Sequence, residues 1–239
     1  MFQRIIATAL GAGVAVGLLL AALQHVALVP LILEAETYES GAAHKHAATS
    51  PLYVFIGPAQ AHEQGASASG DSDNSPWRAV LTTLATTLTS IGFGLVLSGA
   101  FAISGRDVDM REGLLWGLGG FASFALAPAF GLPPELPGSV AAELVARQIW
   151  WIATMAATAC ALAVMVFSRA RWAVPLGIVL LIAPHLIGAP HPHNGAGVVP
   201  PELAAAFAAR SLVVNAVFWA LLGLAAGALY QRFGRTAMV

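Results

Sequence analysis

From Ile5 to Leu33 the chain carries no Asp, Glu, Lys or Arg, and five further blocks of the same kind follow. They run from Val80 to Ile103, Gly113 to Phe130, Ile149 to Phe167, Trp172 to Gly188 and Ser211 to Tyr230. About 20 predominantly apolar residues suffice for a helix to cross a bilayer. Lipid offers the backbone no hydrogen bonds, so such blocks must close their own, as helices do. The apolar positions are gathered in blocks and not spread at amphipathic spacing. Hydrophobic residues make up 58% of the chain and charged residues 10%, against about a quarter charged in a soluble domain. The expected fold is therefore an all-α integral membrane protein of six transmembrane helices. Residues 1–239 are expected to form one membrane domain, with 40–77 as a partly mobile outer loop too rich in Ala, Ser, Gly and His to bury a core. The third and fifth blocks are short, each with a proline near its end.

The distribution of charge sets the orientation. With the amino terminus in the cytoplasm, Arg4, Arg106, Arg111, Arg169, Arg171, Arg232 and Arg235 fall inside, and Lys45, Arg78, Arg147 and Arg210 fall outside. That bias obeys the positive-inside rule and predicts both termini in the cytoplasm. The first apolar run is too long for the core of a signal peptide and lacks a small-x-small cleavage site before His25, so it reads as an uncleaved span. Cys160 is the sole cysteine, which excludes an intrachain disulfide. Within the fourth block it is expected to pack as a small residue.

All the histidines then fall in the outer half. His185, His191 and His193 lie within the run Ala183 to Asn194, where the fifth block passes into a proline-rich loop. Neutral imidazole is a ligand for first-row transition ions, and Pro190 and Pro192 hold the chain extended between the last two rings. A single loop histidine is ordinarily just solvated. It is the gathering that points to a cation. Gln24 and His25 lie inside the first block, where polar residues tend to face the bundle interior. Beyond Pro30, Glu34, Glu36 and Glu39 emerge outside, and His44, His46 and His62 lie on the long loop, a compositional hint of a metal-collecting arm.

Glycine pairs four residues apart, Gly13 and Gly17, Gly113 and Gly117, Gly223 and Gly227, predict close helix contacts. Threonines at the outer end of the second block more often bond their own helix than a substrate. An internal repeat joins the second half of the chain. Leu126-Ala127-Pro128, Gly131, Leu132-Pro133-Pro134-Glu135-Leu136 and Arg147 match Ile182-Ala183-Pro184, Gly188, Val199-Pro200-Pro201-Glu202-Leu203 and Arg210. The match predicts two tandem helical hairpins whose prolines free carbonyls to line a path. Ala129 stands in the first copy where His185 stands in the second.

Several chemistries are excluded. Lys45 is the only lysine and no Walker A motif surrounds it, so this chain hydrolyses no ATP by that route. HExxH, GxSxG and CxxC are absent, as are carboxylates within the apolar blocks. No enzyme activity, prosthetic group or nucleic-acid partner is expected.

The combination of Gln24-His25, Pro30, Glu34-Ala35-Glu36-Thr37-Tyr38-Glu39, Arg147-Gln148-Ile149-Trp150-Trp151, Pro190-His191-Pro192, and Val199 to Leu203 through Asn215 and Trp219 resembles CbtA, a family of predicted cobalt transporter subunits. The resemblance implies cobalt uptake for cobalamin synthesis across a bacterial inner membrane. It also implies a small single-span partner, CbtB, with a histidine-rich tail. Members of the family are usually described with five spans, one fewer than the blocks counted here.

The expected function is thus that of a membrane component taking up a divalent transition ion, Co²⁺ before Ni²⁺ or Zn²⁺. Glu34 and Glu36 concentrate cations at the outer face; His191 and His193 bind first; His185 and His25 receive the ion; Gln24 and Asn215 offer amide oxygens further along. Ligating imidazole must be neutral, so uptake is expected to fall on acidification through the histidine range. The rival expectations are an anchor or assembly component with incidental histidines, and a metal-dependent membrane enzyme.

Overall fold

The computed structural model describes residues 1–42, 76–192 and 197–236. Each apolar block falls on helix, and the described residues contain no strand. The helices are α1 (Phe2–Ala27), α2 (Val29–Ala42), α3 (Pro76–Ser104), α4 (Met110–Phe121), α5 (Ala127–Ala129), α6 (Leu144–Phe167), α7 (Ala173–Ile187) and α8 (Pro201–Thr236). Four stretches are long and apolar enough to cross a membrane: Phe2–Ala27, Ala79–Ser104, Leu144–Phe167 and Pro201–Gly234. The fifth block, α7, is a shorter helix of 15 residues.

Two expected spans are interrupted, and proline is the cause in both. The first block breaks at Leu28, whose φ of −112° is far from the value of about −63° typical of an α-helix. Pro30 has no N–H for the Val26 carbonyl and its ring crowds that oxygen, so the helix restarts with Pro30 in its first turn, where the missing donor is no loss. In the third block Pro128 stands in the same relation to Phe124. Here the helix widens instead: Ala122–Leu126 form a π turn between α4 and α5, and the Ala127 N–H bonds to Ala122 O. Such turns absorb an extra residue without ending the helix.

Burial runs opposite to that of a water-soluble protein. Small and hydroxyl residues such as Ala9, Ala12, Thr8, Ser98 and Thr154 are buried, while Leu84, Leu88, Ile103, Leu115 and Ile149 are exposed. Against lipid, large apolar side chains lose nothing by facing outward, and small ones let helix backbones approach.

The chain divides into two compact units, Met1–Pro30, Ala48–Leu118 and Val213–Val239 in one, Leu31–Ala47 and Gly119–Leu212 in the other. In the first, α1 and α3 run antiparallel with their glycines at the contact. A methyl at Gly13 would fall 2.5 Å from Ile91 Cα, and one at Gly17 2.8 Å from Thr87 Cα. The remaining glycine pairs interlock with each other: Gly113 meets Gly223 and Gly227, and Gly117 meets Trp219 and Gly223. Around this seam Trp219, Phe101 and Leu222 are fully buried, and Phe93 packs on Trp219 with ring centroids 4.8 Å apart. At one end Arg4 lies over the Tyr230 ring, 3.5 Å from its centroid, and its Nε donates to Tyr230 O at 2.7 Å. The beginning of α1 and the end of α8 are thus at the same end of this unit.

In the second unit α6 and α7 form an antiparallel hairpin. Gly177 faces Met165 and Ala161, leaving no room for a side chain. Glu143 caps α6, its carboxylate accepting from the Val145 and Ala146 N–H groups, as negative charge at a helix amino terminus should. Cys160, expected to pack, is exposed.

Candidate functional site

Trp150, in the second turn of α6, organises the histidine end of the second unit. Its indole N–H donates to Pro184 O at 3.2 Å. That bond ties the start of α6 to the last turn of α7, one residue from His185. The ring also fills the space above Gly131, where a methyl would fall 2.5 Å from Trp150 Cη2. Both copies of the repeat therefore converge on one tryptophan. Their glycines differ in purpose: Gly131 makes room for a ring, whereas Gly188 ends α7 with φ of 87°, a conformation glycine adopts without strain.

His185 is held edge-on by two aromatic rings, Trp150 at 5.9 Å and Phe130 at 6.0 Å between centroids. It is exposed, and so is His191. The two imidazoles line one open cleft of about 690 Å³, whose walls include Ala122 and Leu126 of the π turn, Trp150 and Thr158 of α6. Thr158 is a polar residue within those walls; it is buried and its Oγ1 has no hydrogen-bond partner. Among the described residues no three His, Cys, Asp or Glu side chains converge. A cation here would take two imidazoles from this chain and the rest of its ligands from water or another donor.

Beside the cleft, Arg147 Nη2 donates to Glu135 Oε2 at 2.7 Å, closing the loop between α5 and α6. Burial pushes the Glu135 carboxyl above the usual carboxylate range, and the charge and hydrogen bond of Arg147 oppose that shift. In the second copy Glu202 opens α8 and is exposed, as is Arg210. One PPEL segment is a loop pinned by an ion pair, the other a helix start.

The remaining expected residues are dispersed. His193 lies outside the described residues, as do His44, His46 and His62. Glu34 is exposed and Glu36 partly so, both on α2, where Thr37 Oγ1 donates to Glu34 O. α1 turns Gln24 toward α3 and leaves His25 exposed, so only one of this adjacent pair faces inward. Thr86 Oγ1 donates to Gln24 Oε1 at 3.2 Å. In the first unit Gln24 and Asn215 share a small cavity of about 10 Å³ with Thr86, Thr89 and Ser90. Thr83 and Thr87 bond the carbonyls one turn back, as expected of helix threonines. Ser90 escapes sequence reasoning because a serine in an apolar block gives no sign of which way it points.

Four long apolar helices and an inside-out burial pattern define a multi-pass membrane protein. The profile of the family described as probable cobalt transporter subunit (CbtA) matches residues 2–231. The chain belongs to that family. No curated protein and no solved structure matches it.

Proposed function

We propose that this chain carries a divalent transition ion, Co²⁺ first, into a bacterial cell across the inner membrane, and that His185 and His191 hold the ion in the cleft of the second unit. The observation that carries this reading is the convergence of the two imidazoles on one cleft in a member of a cobalt transporter family. Magnitude supports it. Water occupies roughly 30 Å³ per molecule, so an ion with about six waters needs roughly 200 Å³. A cleft of about 690 Å³ admits the ion with its shell largely intact. Two waters then exchange for imidazoles, a ligand type that suits Co²⁺, Ni²⁺ and Zn²⁺.

His193, two residues beyond His191 in the sequence, supplies a further imidazole to the same ion. His25 is a further ligand for the ion, and Glu34 and Glu36 act by raising the local cation concentration. Six spans with both termini in the cytoplasm put this mouth outside. A small single-span partner with a histidine-rich tail hands over the ion, which supplies cobalamin synthesis, and no catalytic step occurs on this chain.

The test is uptake of radioactive Co²⁺ by cells expressing the chain with its candidate partner, with Ni²⁺ and Zn²⁺ as competitors. His185→Ala/His191→Ala is expected to lower uptake about 10- to 100-fold, the scale at which lost support costs a metal site. Equal accumulation by wild type and double variant overturns the reading in favour of an anchor or assembly role.

A further inference from the structure

Gln24 of α1, Thr86, Thr89 and Ser90 of α3, and Asn215 of α8 enclose a second polar site, within the first unit. Its character differs from that of any imidazole site. Two carboxamides and three hydroxyls make an oxygen donor set without formal charge, and no carboxylate lines it to balance a double charge. Imidazole and thiolate, which favour Co²⁺ and Zn²⁺, do not line it either.

Ser90 brings an unmatched hydroxyl to this cage. Its exposure is 0%, and its Oγ is buried with no hydrogen-bond partner. A serine within a helix commonly donates to the carbonyl one turn back, as Ser98 does to Gly94 O at 2.7 Å. Ser90 forgoes that bond while lining the cage. A buried hydroxyl left unmatched is costly, and such a group calls for a water or an ion.

The dimensions and walls select between them. A free volume of about 10 Å³ holds one water or one bare ion, with no hydration shell. Leu20, Phe93 and Phe218 supply the apolar part of the lining, and apolar walls offer a water no hydrogen bond. Neutral oxygen dipoles solvate a single charge; for a double charge, hard cations draw on carboxylates.

We propose that this cage binds one dehydrated monovalent cation of the size of Na⁺, held by the carboxamide oxygens of Gln24 and Asn215 and the hydroxyls of Thr86 and Ser90. The bound ion ties α1, α3 and α8 together and is a different species from the divalent cargo. The site stands whether or not the cleft carries cobalt.

Full-length protein purified in choline chloride is titrated with NaCl, KCl or more choline chloride at constant ionic strength, and thermal unfolding is followed. The expected result is a saturable rise in Tm with Na⁺, a weaker one with K⁺ and none with choline. Ser90→Ala removes the unmatched hydroxyl, so it is expected to raise Tm in choline yet weaken the Na⁺ response at least tenfold in apparent affinity. Asn215→Ala weakens the response likewise, and His185→Ala/His191→Ala leaves it unchanged. Identical wild-type Tm values in the three salts would mean the cage holds only water, and a full Na⁺ response in Ser90→Ala would equally overturn the assignment.

Discussion

The cleft of the second unit and the cage of the first are built from opposite materials. One is open, about 690 Å³, and presents nitrogen ligands flanked by aromatic edges. The other is small, about 10 Å³, and its polar lining is carboxamide and hydroxyl with no imidazole. An ion entering the first keeps most of its water; an ion entering the second must shed all of it. The two proposed sites thus differ in donor chemistry, each within its own compact unit.

The sharpest way to break this contrast is to destroy one side of it. Gly117→Leu drives a side chain into the Trp219 and Gly223 backbone, where nothing flexible can yield. Overpacking costs about 1–3 kcal/mol where side chains adjust, and here two helix backbones must part. Loss of folded protein on size-exclusion chromatography is expected; a variant with wild-type Tm would contradict the interlock. Next in size, the double histidine variant should abolish Co²⁺ binding by isothermal titration while Tm stays within a degree or two of wild type, since both imidazoles are exposed.

Trp150→Phe keeps the ring and deletes the bond to Pro184 O. Pro184 O still accepts from the Gly188 N–H at 3.1 Å, so the change removes one hydrogen bond, worth about 0.5–1.5 kcal/mol. The expected outcome is a several-fold weaker Co²⁺ affinity with the Na⁺ response intact, and an unchanged affinity would show that the indole N–H does not set the position of His185.

The smallest effect concerns Glu135. Its pKa is raised in the folded protein, so its contribution to stability is full below the unfolded value and declines as pH rises through the folded one. Arg147→Gln removes both influences that lower it. The difference in Tm between wild type and variant should be small near pH 4 and widen toward neutrality; a difference independent of pH would remove the ion pair from the account.

Much of this is legible in the residues. Charge-free blocks mark the helices, and glycines four apart mark their contacts, because lipid leaves small residues as the main route to close packing. The repeat is legible too, but not that its two copies fold differently: Glu135 reaches Arg147 across a loop, whereas Glu202 begins a helix. What stays hidden has a common origin. In a block apolar on every side, periodicity does not tell which neighbour faces inward, so Gln24 and His25 look alike although successive helix residues point about 100° apart. Ser90 is hidden for the same reason, and the π turn because Pro128 announces a disturbance without saying whether the helix stops or widens.

That wider turn acts as a phase shifter. A residue absorbed between Ala122 and Leu126 rotates everything after it by about 100° relative to an uninterrupted α-helix. Phe130 meets the edge of His185 only in the shifted phase. Shortening the turn by one residue would swing Phe130 off the imidazole while leaving every cleft side chain chemically unaltered, so backbone pitch ranks with ligand identity as a determinant of the cleft.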